Sequence, residues 1–308
     1  MKRELSRSRE GFILISVLML GVVLISTATA FAWFVRSQAR TVMSQNQELT
    51  NRTFAHVLVN SVTNVISDVF SEINYDSLTQ RWYQPFAIAA SEFDGIWVVK
   101  ITPLDDKIPI GNLFLPDGST MRTELTEVWH EMFEKLDRLE LEQVLLDFMD
   151  ANNKPRVGGA ERDDFLNRPP YDISELLVIS GDVDNETLYG ASGKLGISDY
   201  CTVYSDGKIN INVAPVHVIE LLPGLDSGNT AQSIADYREN KAIESLSDLQ
   251  GIHGVSAGTL NRAMNVIGFK SRYFEVKLEF LPNAGESGSS FSVILDRTDK
   301  KIVKWEEI

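Results

Sequence analysis

The apolar positions of this chain fall into three patterns. From Phe12 to Val35 they run for 24 residues with no charge among them. As a helix rising ~1.5 Å per residue, that run spans about 36 Å, enough for a hydrocarbon core of about 30 Å. From Phe54 the pattern changes. Phe54, Val57, Leu58, Val62, Val65, Ile66, Val69, Phe70 and Ile73 recur at spacings of three and four, the apolar stripe of an amphipathic helix. No Pro or Gly stands between Val22 and Gln84, so one long helix is expected to leave the membrane and pack on the protein's own sheet.

The third pattern is alternation. Gly95–Thr102 is β-branched and short, and Lys107–Asn112 follows an Asp105-Asp106 turn; both are predicted strands. Tyr273–Phe280, Phe291–Leu295 and Ile302–Trp305 alternate apolar and polar residues, as a small antiparallel sheet does. Between these groups the pattern is helical. Leu125, Val128, Met132, Leu136 and Leu139 form one face, Leu141–Met149 a further segment, and Ser174–Ile179 a short helix. Asn152–Pro170 reads as a loop. Tyr200–Tyr204 and Lys208–Asn212, flanking Asp206-Gly207, read as a hairpin, and three short helices lead on to Gly268. If both strand groups join one sheet, the helical block is an insertion. The expected class is α+β: a long N-terminal helix packed on a small antiparallel sheet, with a large mainly helical domain inserted.

Composition narrows the function. There are 29 Lys and Arg against 43 Asp and Glu, a net charge of −14. That balance disfavours a phosphate backbone as partner. One cysteine, Cys201, excludes an intramolecular disulfide and a multi-cysteine metal site. The 308 residues are enough for two domains.

The chain opens with Lys2, Arg3, Arg7 and Arg9 against Glu4 and Glu10, which predicts a cytoplasmic N-terminus and an exported remainder. Three readings compete for this segment: a signal peptide cut near Ala28-Thr-Ala30, a plain uncleaved anchor, and a short basic leader that ends at the Gly11-Phe12 junction.

Candidate chemistry is sparse. Gly254-Val-Ser-Ala-Gly258 fits a nucleophile elbow in letters, but no histidine follows His253, so the order of a hydrolase triad fails and Ser256 is not expected to be catalytic. His56, His130, His217 and His253 are scattered and form no spaced metal pair. Leu222-Pro-Gly-Leu and Gln250-Gly-Ile-His-Gly each open a helix with a glycine turn, resembling helix-hairpin-helix modules that grip a DNA phosphate. Leu221–Leu260 carries only Arg238 and Lys241 against Asp226, Asp236, Glu239, Glu244 and Asp248, which favours a packing module. Asp150, Asn152 and Glu161 occupy positions 1, 3 and 12 of an EF-hand-like span, the oxygen donors that suit Ca²⁺. Lys154 and Pro155 at positions 5 and 6 depart from it. Asp147, Asp163 and Asp164 add nearby carboxylates, and a solvated acidic loop is the other reading.

Taken in order, Arg9-Glu-Gly-Phe-Ile-Leu-Ile-Ser16, Leu146–Asp150 with Gly159-Ala-Glu161, Tyr171–Ile179, Ser205–Pro215 and Lys270–Val276 resemble the minor pseudopilins of type II secretion systems, general secretion pathway protein K. The resemblance implies cleavage between Gly11 and Phe12 by a prepilin peptidase, N-methylation of Phe12, and retention of the helix. Pilins carry glutamate at the fifth mature position; here it is Ser16, a departure this family shares. That glutamate is thought to neutralise a neighbour's N-terminal amine, and a buried carboxylate without a partner is costly. A subunit at the tip has no amine above it to meet, so its loss fits a tip position. Calcium in the inserted domain is also implied, with Asp150, Asn152, Glu161 and Asp163 as ligands. The implied organisation is a leader (1–11), a transmembrane segment (12–35), a pseudopilin domain (36–112 and 270–308) and the insertion (113–269). The implied partners are other minor pseudopilins in a tip heterotrimer, the major pseudopilin, the peptidase and the inner membrane, with no nucleic acid. The implied place is the bacterial inner membrane, single-pass, with a periplasmic C-terminal part. No enzyme activity is expected. A membrane-anchored DNA-uptake protein is the competing reading and predicts a basic head.

Overall fold

The computed structural model describes residues 2–69, 72–89, 95–179, 181–225, 228–283 and 288–308, and their side chains except those of residues 2–15, 69, 228 and 259. The chain divides into two compact units, Met1–Val57 and Leu58–Ile308. Helix α1 (Lys2–Asn64) accounts for the first, which follows from an uninterrupted run of residues with neither Pro nor Gly after Gly21. Phe70 of the predicted stripe lies outside the described residues. Ile73 lies beyond the helical turns, which end in a π-helical turn at Val65–Val69.

The second unit begins with the last turns of α1 and the π-helical turn, where Leu58, Val59, Val62 and Ile66 are buried at the three-four spacing the sequence shows. A 3-10 turn at Arg81–Tyr83 leads into β1 (Phe86–Ala89) and β2 (Gly95–Pro103). The chain then passes through β3 (Ile108–Pro109), a 3-10 turn (Ile110–Asn112), α2 (Thr123–Leu136), α3 (Leu141–Met149) and a 3-10 helix at Ile173–Val178. Next come α4 (Asn185–Tyr189), α5 (Ile197–Tyr200), β4 (Cys201–Thr202), β5 (Ile209–Asn210) and α6 (Val216–Ile219). The helices α7 (Gly228–Asn240), α8 (Leu246–Gln250) and α9 (Ala257–Ala263) precede β6 (Ile267–Gly268). The chain closes with β7 (Tyr273–Pro282), β8 (Ser289–Asp296) and β9 (Lys301–Glu307).

One five-stranded antiparallel sheet has the order β1-β2-β7-β8-β9. Its central pair joins strands far apart in sequence, Trp97 opposite Phe280 and Ile101 opposite Val276. Trp97, Val99 and Ile101 of β2, Phe274, Val276, Leu278 and Phe280 of β7, and Phe291, Val293 and Leu295 of β8 are buried. The period of two puts these residues on one face, and Trp97 packs its ring 5.3 Å from Phe280 and 6.2 Å from Phe291. Between β2 and β7 the helices have a separate core, running from Ile108 to Ile267, that contains no residue of the sheet. Leu125, Trp129 and Phe133 of α2 meet Leu145 and Phe148 of α3 in it, with Trp129 edge-on to Phe133 at 4.9 Å. The class is α+β, with a mainly helical block interrupting the sheet, as expected from the sequence.

Three local expectations are corrected. Lys107–Asn112 is not a strand of the main sheet: two residues pair, in parallel, with β4, and a 3-10 turn follows. Tyr200–Asn212 is not a hairpin, because β4 pairs with β3 and β5 pairs in parallel with β6. The turn between them exists, with Gly207 at φ 97° and Asp206 capping Lys208 N–H at 3.1 Å. Its flanks are drawn apart by non-local partners: Asp206 N–H donates to Asp105 Oδ1 at 2.9 Å and Asn210 N–H to the Asp105 carbonyl at 2.7 Å. Among the described residues between Asn212 and Gly268 there are four short helices where three were expected. The exposed strand β1 had no alternation to betray it.

Candidate functional site

The acidic loop after α3 is the first place where side chains converge without need of a fold to explain them. Asp147, on the last turn of α3, and Asp150, just after it, are fully buried. Both turn to Arg156. Arg156 N–H donates to Asp147 Oδ2 at 3.0 Å, its Nε stands 3.3 Å from Asp147 Oδ1, and its Nη2 donates to Asp150 Oδ2 at 2.6 Å. Gly159 closes the other side: a Cβ there would fall 2.0 Å from Asp147 Oδ2, so only glycine lets the backbone come so near. Glu161 completes the cluster. Its Oε1 is buried and has no hydrogen-bond partner. Burial, followed by the charges of Asp147 and Asp150, pushes the Glu161 carboxyl above its usual range. Burial does the same to Asp147, against the pull of the Arg156 N–H and guanidinium.

Of the sequence-predicted ligands, the structure brings Asp150 and Glu161 together. Asn152 turns its Oδ1 to Lys154 N–H at 2.8 Å, and Asp163 is exposed on the same loop. Asp147, marked in the sequence only as a neighbour, is at the centre. Arg156 was not singled out, and it occupies the middle of the carboxylates. Among the described residues no group of three or more His, Cys, Asp or Glu is gathered closely enough to hold a metal ion. As a donor set, buried carboxylate oxygens with one left unpaired nonetheless fit a hard cation such as Ca²⁺.

The paired glycine turns fold as the sequence indicates. Leu222–Leu225 links α6 to α7 with Gly224 at φ 81°, and Gly251–Gly254 links α8 to α9 with Gly254 at φ 89°. The two halves are sewn together by Asn212. Its Nδ2 donates to the Ile243 carbonyl and its Oδ1 accepts Ile243 N–H, both at 2.8 Å. Arg238 is buried and gives its Nη1 to the Ile211 carbonyl at 2.7 Å, while Lys241 faces Asp248 at 3.7 Å. Asp226 lies outside the described residues. Ser256 follows α8 and not a strand, so the elbow context is missing. His130 pairs with Glu142 at 2.8 Å, and His217 faces the Asp199 carbonyl at 3.0 Å.

Within Ser16–Asp68 one helix is long and apolar enough to cross a membrane, and its apolar window is not buried in the protein. Val17, Leu18, Leu20, Val22, Ile25 and Phe31 are each more than half exposed. Ser16 is exposed at the start of this window. At the Gly11-Phe12 junction singled out in the sequence, the Phe12 side chain is outside what the structure describes.

These features define a class: an α+β head on a single apolar helix that fits a membrane anchor. Known proteins show what it is similar to. The helix-hairpin-helix motif family matches residues 205–267. No curated protein sequence matches the chain. Among solved structures, a chain of the GspK-GspI-GspJ complex from the enterotoxigenic Escherichia coli Type 2 Secretion System is similar over 88% of this chain and 99% of that one. Its TM-score is 0.62 at 16% sequence identity, so the fold is shared and extends over nearly the whole length of both.

Proposed function

We propose that this chain is a minor pseudopilin of a type II secretion system. It caps the pseudopilus tip and helps initiate assembly during export of folded proteins across the outer membrane. The observation that carries this reading is the likeness in fold, over nearly the whole chain, to a subunit of the GspK-GspI-GspJ complex. The sequence adds the Gly11-Phe12 junction and Ser16 in place of the pilin glutamate. In this reading residues 1–11 are removed, residues 12–35 lie in the inner membrane, and the head is periplasmic. Residues 36–112 and 270–308 form the pseudopilin domain, and 113–269 the insertion. Other minor pseudopilins, the major pseudopilin and the prepilin peptidase are its partners.

The tip role has a structural rationale. The insertion leaves the sheet after β2 and returns at β7, so it adds bulk that a subunit with neighbours above it would have to accommodate. Immunogold or fluorescent labelling of assembled pseudopili tests it: label at one end is expected, and label along the length contradicts the assignment. The helix-hairpin-helix segment is read as a packing module, because Arg238 is committed to the Ile211 carbonyl. Salt-dependent DNA binding by the full chain would overturn that and favour the DNA-uptake reading.

Calcium has a structural place in this proposal. Asp147, Asp150 and Glu161 are the residues that would hold it, with Asn152 and Asp163 as further oxygen donors on the same loop. The ion would neutralise buried carboxylates and tie the loop to α3.

A further inference from the structure

Two adjoining depressions of about 360 and 510 Å³ open on the Leu58–Ile308 unit, and both are lined by Pro170, Tyr171, Val203 and Tyr273. Tyr171 is 73% exposed, yet it is held. The Arg168 guanidinium lies 4.1 Å from its ring centroid, and Arg168 Nη1 is fixed by Glu175 Oε2 at 3.0 Å and the Pro169 carbonyl at 2.9 Å. The ring is therefore backed on one side and accessible on the other. Tyr273 repeats the device. Arg272 lies 5.2 Å from its ring and is clamped to Asp296 through Nε and Nη2. Tyr204 stands 6.0 Å from Tyr273. The cleft thus presents tyrosine faces whose ordering is paid for before any ligand arrives.

Its charges decide what fits. Arg168 is neutralised by Glu175, Arg272 by Asp296, and Lys304 by Asp172 and Glu306. Asp206 also lines the cleft; it is exposed and has no ion-pair partner among the described residues. A glycan would call on several free carboxylates to meet its hydroxyls; here Asp172 is occupied by Lys304 at 2.7 Å, which leaves Asp206 for the purpose. An extended peptide asks for something else: stacked aromatic rings for prolines, hydroxyl or amide donors such as those of tyrosine and Asn112 for its carbonyls, and a carboxylate for a basic residue.

We propose that this cleft binds an extended, proline-rich segment of a partner protein in the polyproline II conformation, with a Lys or Arg of that segment directed to Asp206. The full chain in detergent is titrated into a fluorescein-labelled peptide, Arg-Pro-Pro-Ala-Pro-Pro-Ala-Pro, and anisotropy is read. Saturable binding with a Kd on the order of 100 μM is expected. Tyr171→Ala should weaken it about tenfold, Tyr171→Phe should leave it nearly intact, and Asp206→Asn should weaken it and flatten its salt dependence. Tyr171 is exposed, so its replacement is not expected to unfold the head. Three outcomes overturn the proposal: no saturable rise, binding unchanged by Tyr171→Ala, or equal binding of a peptide in which glycine replaces every proline.

Discussion

Two buried clusters in this protein set an arginine against carboxylate, one Asp in the first and two in the second, and they are built to opposite ends. In the first, Arg297 meets Asp76 through two parallel bonds of 2.9 Å, and both residues are buried. Neighbouring groups add further bonds. Ser271 N–H donates to Asp76 Oδ2 at 2.6 Å, Arg297 also donates to the Ser271 carbonyl, and Asn210 reaches the Asp76 carbonyl at 3.3 Å. The guanidinium lies 5.0 Å from the Phe274 ring. This lock fastens the loop after α1 to the end of β5, to the segment just before β7 and to the β8–β9 turn. In the second cluster Arg156 serves Asp147 and Asp150, but Glu161 keeps a buried oxygen with no partner. The difference is one of completion: the first arginine satisfies its carboxylate, while the second leaves a buried Glu161 oxygen unpaired, the place the proposed calcium would take.

The largest effect should come from breaking the lock. Asp76→Ala leaves a buried guanidinium uncompensated and should cost about 3–5 kcal/mol, read as a lowered midpoint in thermal or urea unfolding of the full chain in detergent. A loss under about 1 kcal/mol would place the lock with the surface pairs. A further carboxylate, Asp105, is buried and accepts N–H groups from Asp206, Arg272 and Tyr273. Burial outweighs those bonds and pushes its carboxyl up to about 7. The folded state therefore holds a proton that the unfolded state has lost. This contribution is full below about 4 and is lost as pH rises through about 7, on the order of 4 kcal/mol or less. Stability measured across that window should fall with rising pH, and Asp105→Asn should flatten the slope.

Calcium sharpens the comparison next. At about 100 times its Kd it should add ~2.7 kcal/mol of stability. The gain should shrink on acidification, because Glu161 and Asp147 take up protons more readily than ordinary carboxylates and binding must release them. Glu161→Gln should abolish the gain and leave the Asp76–Arg297 lock untouched. A melting temperature indifferent to calcium would make the second cluster a purely structural one. The smallest effect belongs to Lys304, which pairs with Asp172 at the surface: against the upward push of partial burial, Lys304 together with the Ser174 hydroxyl and N–H holds the Asp172 carboxyl down to about 2. Lys304→Ala should cost less than about 1 kcal/mol, since both partners are about a third exposed and screened by solvent.

The sequence made some of this plain. The uncharged run Phe12–Val35 and the alternation from Tyr273 onward are local signals, and both elements formed where local signals put them. The pairing of β2 with β7 was accessible only as a condition, because nothing local ties Trp97 to Phe280. The false hairpin at Tyr200–Asn212 has the same cause. Asp206-Gly207 is a true turn, but Asp105 and β6 outbid the neighbouring strand for its flanks. Asp105 itself looked like an ordinary turn residue, and neither Asp76 nor Arg297 carries any periodic mark. The loop's Asp150 and Glu161 were marked by their spacing as members of one acidic loop, and that they hold calcium is the proposal. Arg156 was not, because the spacing of acids says nothing about a cation already lodged among them.

The proposed function stands or falls first at the N-terminus. Intact-mass and peptide analysis of the protein purified from membranes, in cells that contain a prepilin peptidase, reads it directly. A chain beginning at N-methylated Phe12, with Ser16 as its fifth residue, is the result predicted here. A chain that still begins at Met1, or one cut after Ala30, would contradict it.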